Sequence, residues 1–258
     1  MTKAMDGKRI WLTGASMGIG EALVYEFMKH GARVAISARN EVRLREISRE
    51  LGEDKVLVVP LDVTNRDANL EAVKKIEEVW GGIDIAVFNA GTCEYVDVQT
   101  FDSSMFERVI ATNFLSMAYG IEAALPSLRR GTQPQLIGMS SSVAWLGLPR
   151  AEAYGASKAA ILHMLEALRV DLYREGIQVG VICPGFVKTP LTDKNDFPMP
   201  MRIDAGDAAK IIVRGIARRR NVIHFPKLFT YSLRLLALLP TWAWTRLGQS
   251  MVKPGSGA

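Results

Sequence analysis

One stretch near the start of the chain limits the fold more than any other. The apolar run Arg9-Ile-Trp-Leu-Thr13 stops at Gly14-Ala-Ser-Met-Gly18-Ile-Gly20, and Glu21 to His30 then carries helical periodicity as far as Gly31. Strand, glycine turn and helix, in that order, make a phosphate cradle. Glycine lets the backbone approach a pyrophosphate, and the unpaired N–H groups at a helix start favour its negative charge. The spacing is G-x-x-x-G-x-G, one variant of the dinucleotide fingerprint. A glycine cluster alone is an ordinary turn, and the flanking strand and helix give this one its meaning.

The following residues repeat the alternation. Arg33–Ser37 reads as a second strand, Glu41–Leu51 as an amphipathic helix and Lys55–Pro60 as a third strand, with Asp62 just beyond its end. Helix 66–80, strand 84–88 and the small-residue turn Asn89-Ala-Gly91 come next, then a long helix from Asp102 to Leu128 with Asn113 inside it. Strand 135–140 ends in three serines, helix 151–175 is closed by Gly176, and strand 177–182 runs into Cys183-Pro-Gly-Phe-Val-Lys-Thr189. Strands and helices alternating at this spacing predict an α/β fold with a parallel sheet covered on both faces. In such sheets an acidic residue about twenty positions past the glycines binds the adenine ribose hydroxyls, whereas an arginine accommodates a 2′-phosphate. Ser37-Ala-Arg39-Asn40 occupies that place, so NADP(H) is expected over NAD(H), with Arg39 as the selecting residue.

Tyr154-Gly-Ala-Ser-Lys158 supplies the candidate chemistry. On a helix, residues four apart share a face, so the phenol and the ammonium converge. A nearby cation is expected to lower the phenol's pKa and make Tyr154 a proton donor and acceptor. Ser141, thirteen residues earlier, is within loop reach of the same point. Asn113, unfavourable inside a helix, needs either a structural hydrogen bond or a functional reason.

Taken together these motifs resemble the short-chain dehydrogenase/reductase family over approximately residues 8–190. The carriers are Thr13-Gly-Ala-Ser-Met-Gly-Ile-Gly20, Asn89-Ala-Gly91, Asn113, Ser141, Tyr154-x-x-x-Lys158 and Pro184-Gly185. The resemblance implies a single Rossmann-like domain with a seven-stranded parallel sheet, whose seventh strand would be Asn221–Phe225. It implies that Tyr154 is the general acid in reduction, that Lys158 tunes it and holds the nicotinamide ribose, that Ser141 orients the carbonyl, and that Asn113 anchors a water. It further implies cofactor contacts from Gly14, Ser16, Gly18, Ile19, Gly20, Asp62, Asn89, Gly91, Pro184, Gly185, Val187 and Thr189, and a homodimer or homotetramer. Departures from the usual pattern are Met17, where NADP-preferring members often have a basic residue, and Trp145 after the serine cluster, placed to line or crowd the pocket. Ser141 is assigned by offset, with Ser142 as the alternative.

Beyond residue 202 the pattern fades and the composition shifts. From Arg202 to Lys253 there are ten basic side chains and only Asp204 and Asp207, while the first 201 residues carry 22 basic against 25 acidic. Such asymmetry points to an anionic partner. Nucleic acid is disfavoured because no binding motif or aromatic stacking platform accompanies the charge. Phe197-Pro-Met-Pro-Met201 is either an apolar substrate lid or packed against the body. Leu228, Tyr231, Leu235 and Leu238 fall on one helical face, followed after Pro240 by Trp242, Trp244 and Leu247. Two readings stand: burial over the cleft or in an oligomer, or peripheral membrane contact through residues 228–247. Cys93 and Cys183 provide neither a disulfide framework nor a metal-ligand set, so no metal and a cytoplasmic location are expected. The expected activity is NADPH-dependent reduction of an apolar ketone or aldehyde, a steroid, ketoacyl or long-chain keto compound. The alternative is a cofactor-binding, membrane-peripheral protein of similar fold with a regulatory or scaffold role.

Overall fold

The computed structural model describes residues 5–252, apart from the Lys194 side chain. The chain runs β1 (Arg9–Thr13), α1 (Gly18–Lys29), β2 (Arg33–Ser37), α2 (Glu41–Leu51), β3 (Val56–Val58), α3 (Arg66–Trp80) and β4 (Ile85–Phe88). It continues with α4 (Ser103–Ile110), α5 (Ser116–Leu128), β5 (Gln135–Met139), α6 (Glu152–Asp171) and β6 (Gln178–Pro184). The last elements are β7 (Val187–Lys188), β8 (Ile203–Asp204), α7 (Ala205–Ala217), β9 (Val222–Phe225), α8 (Lys227–Leu236) and α9 (Thr241–Gln249).

Seven strands form one sheet in the order β3-β2-β1-β4-β5-β6-β9, and every pairing is parallel. This is the parallel sheet that the alternation predicts and the single seven-stranded Rossmann-like domain that the family resemblance implies. Continuous apolar strands require burial on both faces, and alternate residues supply it. In β1, Ile10 and Leu12 join Leu23, Phe27, Ile47 and Ile212 on the side of α1, α2 and α7. Trp11 between them joins Ile76, Trp80, Ile121 and Leu165 on the side of α3, α5 and α6. Strand order reverses between β1 and β4, which opens the crevice where ligands bind beyond the carboxyl ends of parallel strands.

The caps follow sequence chemistry. Asn40 accepts from Arg43 N (3.1 Å) at the start of α2 and Asn65 from Ala68 N (3.0 Å) at the start of α3, while Gly81 ends α3 at φ 72°. Helix α6 ends at Asp171, short of the expected 175, and other features also differ from expectation. The third strand is cut to Val56–Val58, although Val59 N still donates to Ile36 O (3.0 Å) and Leu61 N to Ala38 O (3.1 Å). The long helix through Asn113 is interrupted by a π turn, Ala111–Leu115, that separates α4 from α5. A small parallel pair, β7 with β8, draws together the two ends of the loop between them, which the sequence did not signal. Among the described residues no helix is long and apolar enough to cross a membrane.

The amino ends of the strands are held by one ion pair. Asp84 accepts from Arg9 N (3.0 Å), Nε (3.0 Å) and Nη2 (2.8 Å) and from Thr132 N (2.7 Å). Burial pushes the Asp84 carboxyl up, but the hydrogen bonds from Arg9 and Thr132 outweigh it and hold the group below its ordinary value. Asp84→Ala leaves a half-buried guanidinium unpaired and is expected to cost about 3 kcal/mol in urea denaturation. The wild-type contribution is present above the unfolded carboxylate pKa and is lost as pH falls through the depressed folded value. A variant matching wild type at pH 7 contradicts this assignment.

Candidate functional site

Four carboxyl ends, those of β1, β4, β5 and β6, meet at the crevice. Gly14 has φ 68°, and a Cβ there would lie 2.8 Å from Ala90 Cα; at Gly20 it would lie 2.0 Å from Gly14 O. No side chain fits either position, so the backbone forms an open cradle of the kind a pyrophosphate fits. Thr13 Oγ1 accepts from the N–H groups of Asn89 (3.1 Å) and Ala90 (3.2 Å). Asn89 Nδ2 in turn donates to Thr13 O (3.2 Å) and Gly14 O (3.1 Å). The Asn89 amide nitrogen, expected on the ribose side, therefore braces the glycine turn. No side chain caps α1, which leaves its first N–H groups for an anion or water. Ser16 and Ile19 are half-buried in the same turn, and Thr189 crosses it, with a Gly18 Cβ position 3.2 Å from Thr189 Cγ2.

At the end of β2, Ser37 is buried and its Oγ accepts from Trp11 Nε1 (3.0 Å). Arg39 follows, exposed and without an ion pair among the described residues. Its charge reaches Asp62, whose carboxyl is lowered first by Thr64 N–H, then by the Thr64 hydroxyl, with Arg39 adding to them against burial. Asn40 is taken up as the α2 cap. Arg39 and Asp62 thus sit together beyond the ends of β2 and β3, with no carboxylate at the β2 end itself.

Tyr154 and Lys158 stand one turn apart on α6, with Lys158 Nζ 5.6 Å from the phenol ring centroid. Lys158 is only 3% exposed, and Nζ donates to Met139 O (3.0 Å) at the end of β5. A Cβ on Gly91 would lie 3.1 Å from Asn113 Oδ1 and 3.4 Å from Lys158 Nζ, so these three residues meet. Asn113, fully buried, accepts from Thr92 N (2.7 Å) and donates to Thr92 O (3.0 Å) and Ser157 Oγ (2.9 Å). Ser157 Oγ donates to Tyr154 O (2.7 Å), so the π turn is tied to the helical turn between the two candidate catalytic groups. The three serines separate cleanly. Ser140 Oγ donates to Lys158 O (2.8 Å), Ser142 is buried, and Ser141 is the one whose side chain hydrogen-bonds the phenol.

The charge states correct one expectation. Burial raises the Tyr154 pKa, with the Cys93 thiol adding to the rise, and only the Ser141 hydrogen bond opposes it. Burial likewise lowers Lys158, to about 8. Desolvation penalises each group's charged form, and the ammonium's hydrogen bond goes to Met139 O instead of the phenol. These shifts favour a protonated phenol beside an easily deprotonated amine, the reverse of a phenol made acidic by its neighbour.

An apolar wall begins at Tyr95, which lies near Tyr154. Phe197 stacks edge-on against Tyr95 (5.3 Å between centroids) and lies 6.1 Å from Phe186, which lies 5.3 Å from Phe229. Gly185 packs against the Phe229 ring, Pro184 ends β6, and Val187 is buried in β7. Arg150 lies over the Tyr95 ring and pairs with Asp196 (2.8 Å). The segment around Phe197 is packed against the body. Trp145 is held between the Arg234 guanidinium (4.2 Å) and His224 (5.9 Å). A separate cleft of about 510 Å³, lined by Ala144, Leu148, Gly155, Ala159, Trp244 and Val252, includes neither Tyr154 nor the glycine turn.

Sequence reasoning missed Thr13, Ser157, Cys93 and Tyr95 as site residues. Thr13 and Ser157 sit inside recognised motifs, and their polarity beside a buried turn was the available signal. Tyr95 joins the site only because residues 195–197 fold back onto it, which no local pattern encodes.

The short chain dehydrogenase family model matches residues 8–198. An "Uncharacterized oxidoreductase" of Myxococcus xanthus is 35% identical over 238 residues, covering 92% of this chain and 94% of that protein. "11-beta-hydroxysteroid dehydrogenase 1A" of Arabidopsis thaliana is 35% identical over 254 residues, covering 89% and 72%. A short chain dehydrogenase/reductase from Burkholderia phymatum, solved in complex with NAD, superposes with a TM-score of 0.83 at 21% identity over 97% of this chain and 98% of that one.

A folded lysine pKa of about 8 lies below the ordinary value of about 10.4, so the buried ammonium costs stability below pH 8 and the cost fades as pH rises between the two. Lys158→Met is expected to raise the stability of the unliganded chain at pH 7 by ~1–3 kcal/mol, with the gap narrowing above pH 8. Equal or lower stability in thermal and urea unfolding contradicts this.

Proposed function

Since the chain belongs to the short-chain dehydrogenase/reductase family, we propose that it is an NADPH-dependent reductase of apolar ketones or aldehydes, working in reverse as an alcohol dehydrogenase. The observation that carries this reading is the Ser141–Tyr154–Lys158 cluster set beside the glycine cradle. When bound, the nicotinamide cofactor supplies the hydride. The chain's own residues do the remainder. Ser141 donates to the carbonyl oxygen and orients it, and the phenol of Tyr154 gives that oxygen a proton as negative charge develops there. A raised phenol pKa keeps this acid protonated at neutral pH, and Lys158, titrating near 8, is matched to restoring the proton. Asn113 acts as a positioning residue, through Ser157 and Thr92.

NADP(H) over NAD(H) is supported by Arg39, which forms no ion pair within 4 Å among the described residues, and by Ser37 where an acid would repel a 2′-phosphate. The glycine turn, Asp62, Thr189 and Val187 would hold the rest of the dinucleotide. The substrate class rests on the wall of Tyr95, Phe186, Phe197 and Phe229, and on relatives whose names specify a hydroxysteroid. Steroid, ketoacyl and long-chain keto compounds all suit such a surface. Residues 191–258 form the variable lid and tail in this reading. Free Cys93 and Cys183 suit a reducing, cytoplasmic setting, and family membership favours a homodimer or homotetramer.

A screen of these carbonyls by NADPH absorbance is expected to find turnover. Tyr154→Phe should lower kcat roughly 10³-fold while leaving the NADPH Kd within about twofold. Unchanged kcat, or activity confined to small polar ketones, overturns the assignment. Arg39→Ala is expected to weaken NADPH binding about 10–100-fold and NADH binding hardly at all, measured by calorimetry. Equal loss for both cofactors removes the phosphate-selecting role.

A further inference from the structure

Apolar periodicity in the tail normally signals burial, and α8 departs from that. Its inward side places Phe229 against Gly185 and buries Thr230 and Leu233. Its outward stripe stays in solvent: Leu228 is 70% exposed, Leu235 68% and Leu238 80%, with Tyr231 between them also exposed. At the start of α9, Trp242 is 73% exposed, followed by exposed Leu247. Large apolar side chains gathered this way mark an interaction surface.

Charge identifies the partner. No carboxylate occurs in the sequence after Asp207, while Arg220, Lys227, Arg234 and Arg246 are spread through the same segment. Arg220, Lys227 and Arg234 all act on His224, which burial and then these three cations lower to about 4. The Lys227 ammonium donates to His224 Nε2 (3.0 Å), so a lysine and a neutral imidazole stand at the foot of the stripe. A second copy meeting this face about a twofold axis would set cations against cations with no acid in the segment to offset them. Leucine and tryptophan interleaved with arginine and lysine, on helices too short to span, match the interface of a negatively charged bilayer.

We propose that the outward face of α8 and the start of α9 dock the chain on an anionic lipid surface, lying in the interface without crossing it. The face is coupled to the candidate site. Phe229, on the opposite side of α8, belongs to the apolar wall, and Arg234 stacks on Trp145 four residues beyond Ser141. An apolar substrate leaving the bilayer would meet this wall directly. That delivery role rests on the reductase reading, whereas the docking does not.

The full chain, with and without NADPH, is sedimented with phosphatidylcholine vesicles that contain or lack phosphatidylglycerol. Expected are at least roughly tenfold stronger partitioning onto the anionic vesicles and weakening with added salt. Because Leu235 and Leu238 are exposed, Leu235→Glu with Leu238→Glu should fold normally, keep the wild-type NADPH affinity and lose the partitioning about tenfold or more. Absent partitioning overturns the proposal, as does equal partitioning of the double variant. So does a double variant that instead dissociates an oligomer in analytical ultracentrifugation, which assigns the face to a second copy. Failure to bind NADPH sinks the reductase reading and leaves the vesicle result standing.

Discussion

A buried lysine governs this site. Lys158 Nζ lies under the carboxyl end of β5, donates to Met139 O, and sits against Gly91 and the Asn113 side chain. A cation with one neutral partner in a dry pocket is unstable as a charge, which is why its proton is held loosely. The same dryness acts on Tyr154 in the opposite sense and keeps its proton on. Two groups that titrate close together in water are thereby driven apart, the phenol holding its proton more firmly and the amine less. The surrounding architecture keeps that pocket in place: Asn113 clamps the loop at Thr92 to α6, and Ser140 ties the backbone of Lys158 to the end of β5.

The parallel sheet makes such a pocket possible. Strand ends in a sheet with helices on both faces are enclosed on two sides, and the reversal between β1 and β4 opens the third. Thr13 and Asn89 lace those two strands and brace the glycine turn. The aromatic cluster that reaches Tyr154 through Tyr95 is built by residues far apart in the chain, Tyr95, Phe186, Phe197 and Phe229. The fold is common property of a family.

Much of this was legible in the residues. The glycine turn, the continuous apolar strands and the caps at Asn40 and Asn65 are local signals, and helices α2 and α3 fall where their periodicity places them. Tyr154, Lys158, Ser141 and Asn113 converge because motif spacing encodes which strand end each one follows. What spacing could not encode was solvation. The effect of Lys158 on Tyr154 was reasoned from proximity alone, and burial, a property of the whole fold, overrides it. The π turn at Asn113 was hidden for a related reason: an uninterrupted helical pattern does not reveal the extra residue that lets a buried amide reach both Thr92 and Ser157. The outward stripe of α8 shows the converse limit, since an apolar face signals contact without saying whether the contact lies inside the chain.

The central claim, that burial and not the pairing of the two groups sets the proton inventory of the site, is open to direct titration. The unliganded chain, labelled with ¹³C at the lysine ε carbons and assigned through Lys158→Met, reports the midpoint of Lys158 by NMR. The account requires a midpoint near 8, well below the other lysines. A midpoint at the ordinary lysine value of about 10.4 would mean that the ammonium is not desolvated, and the proton-transfer scheme built on it would fall.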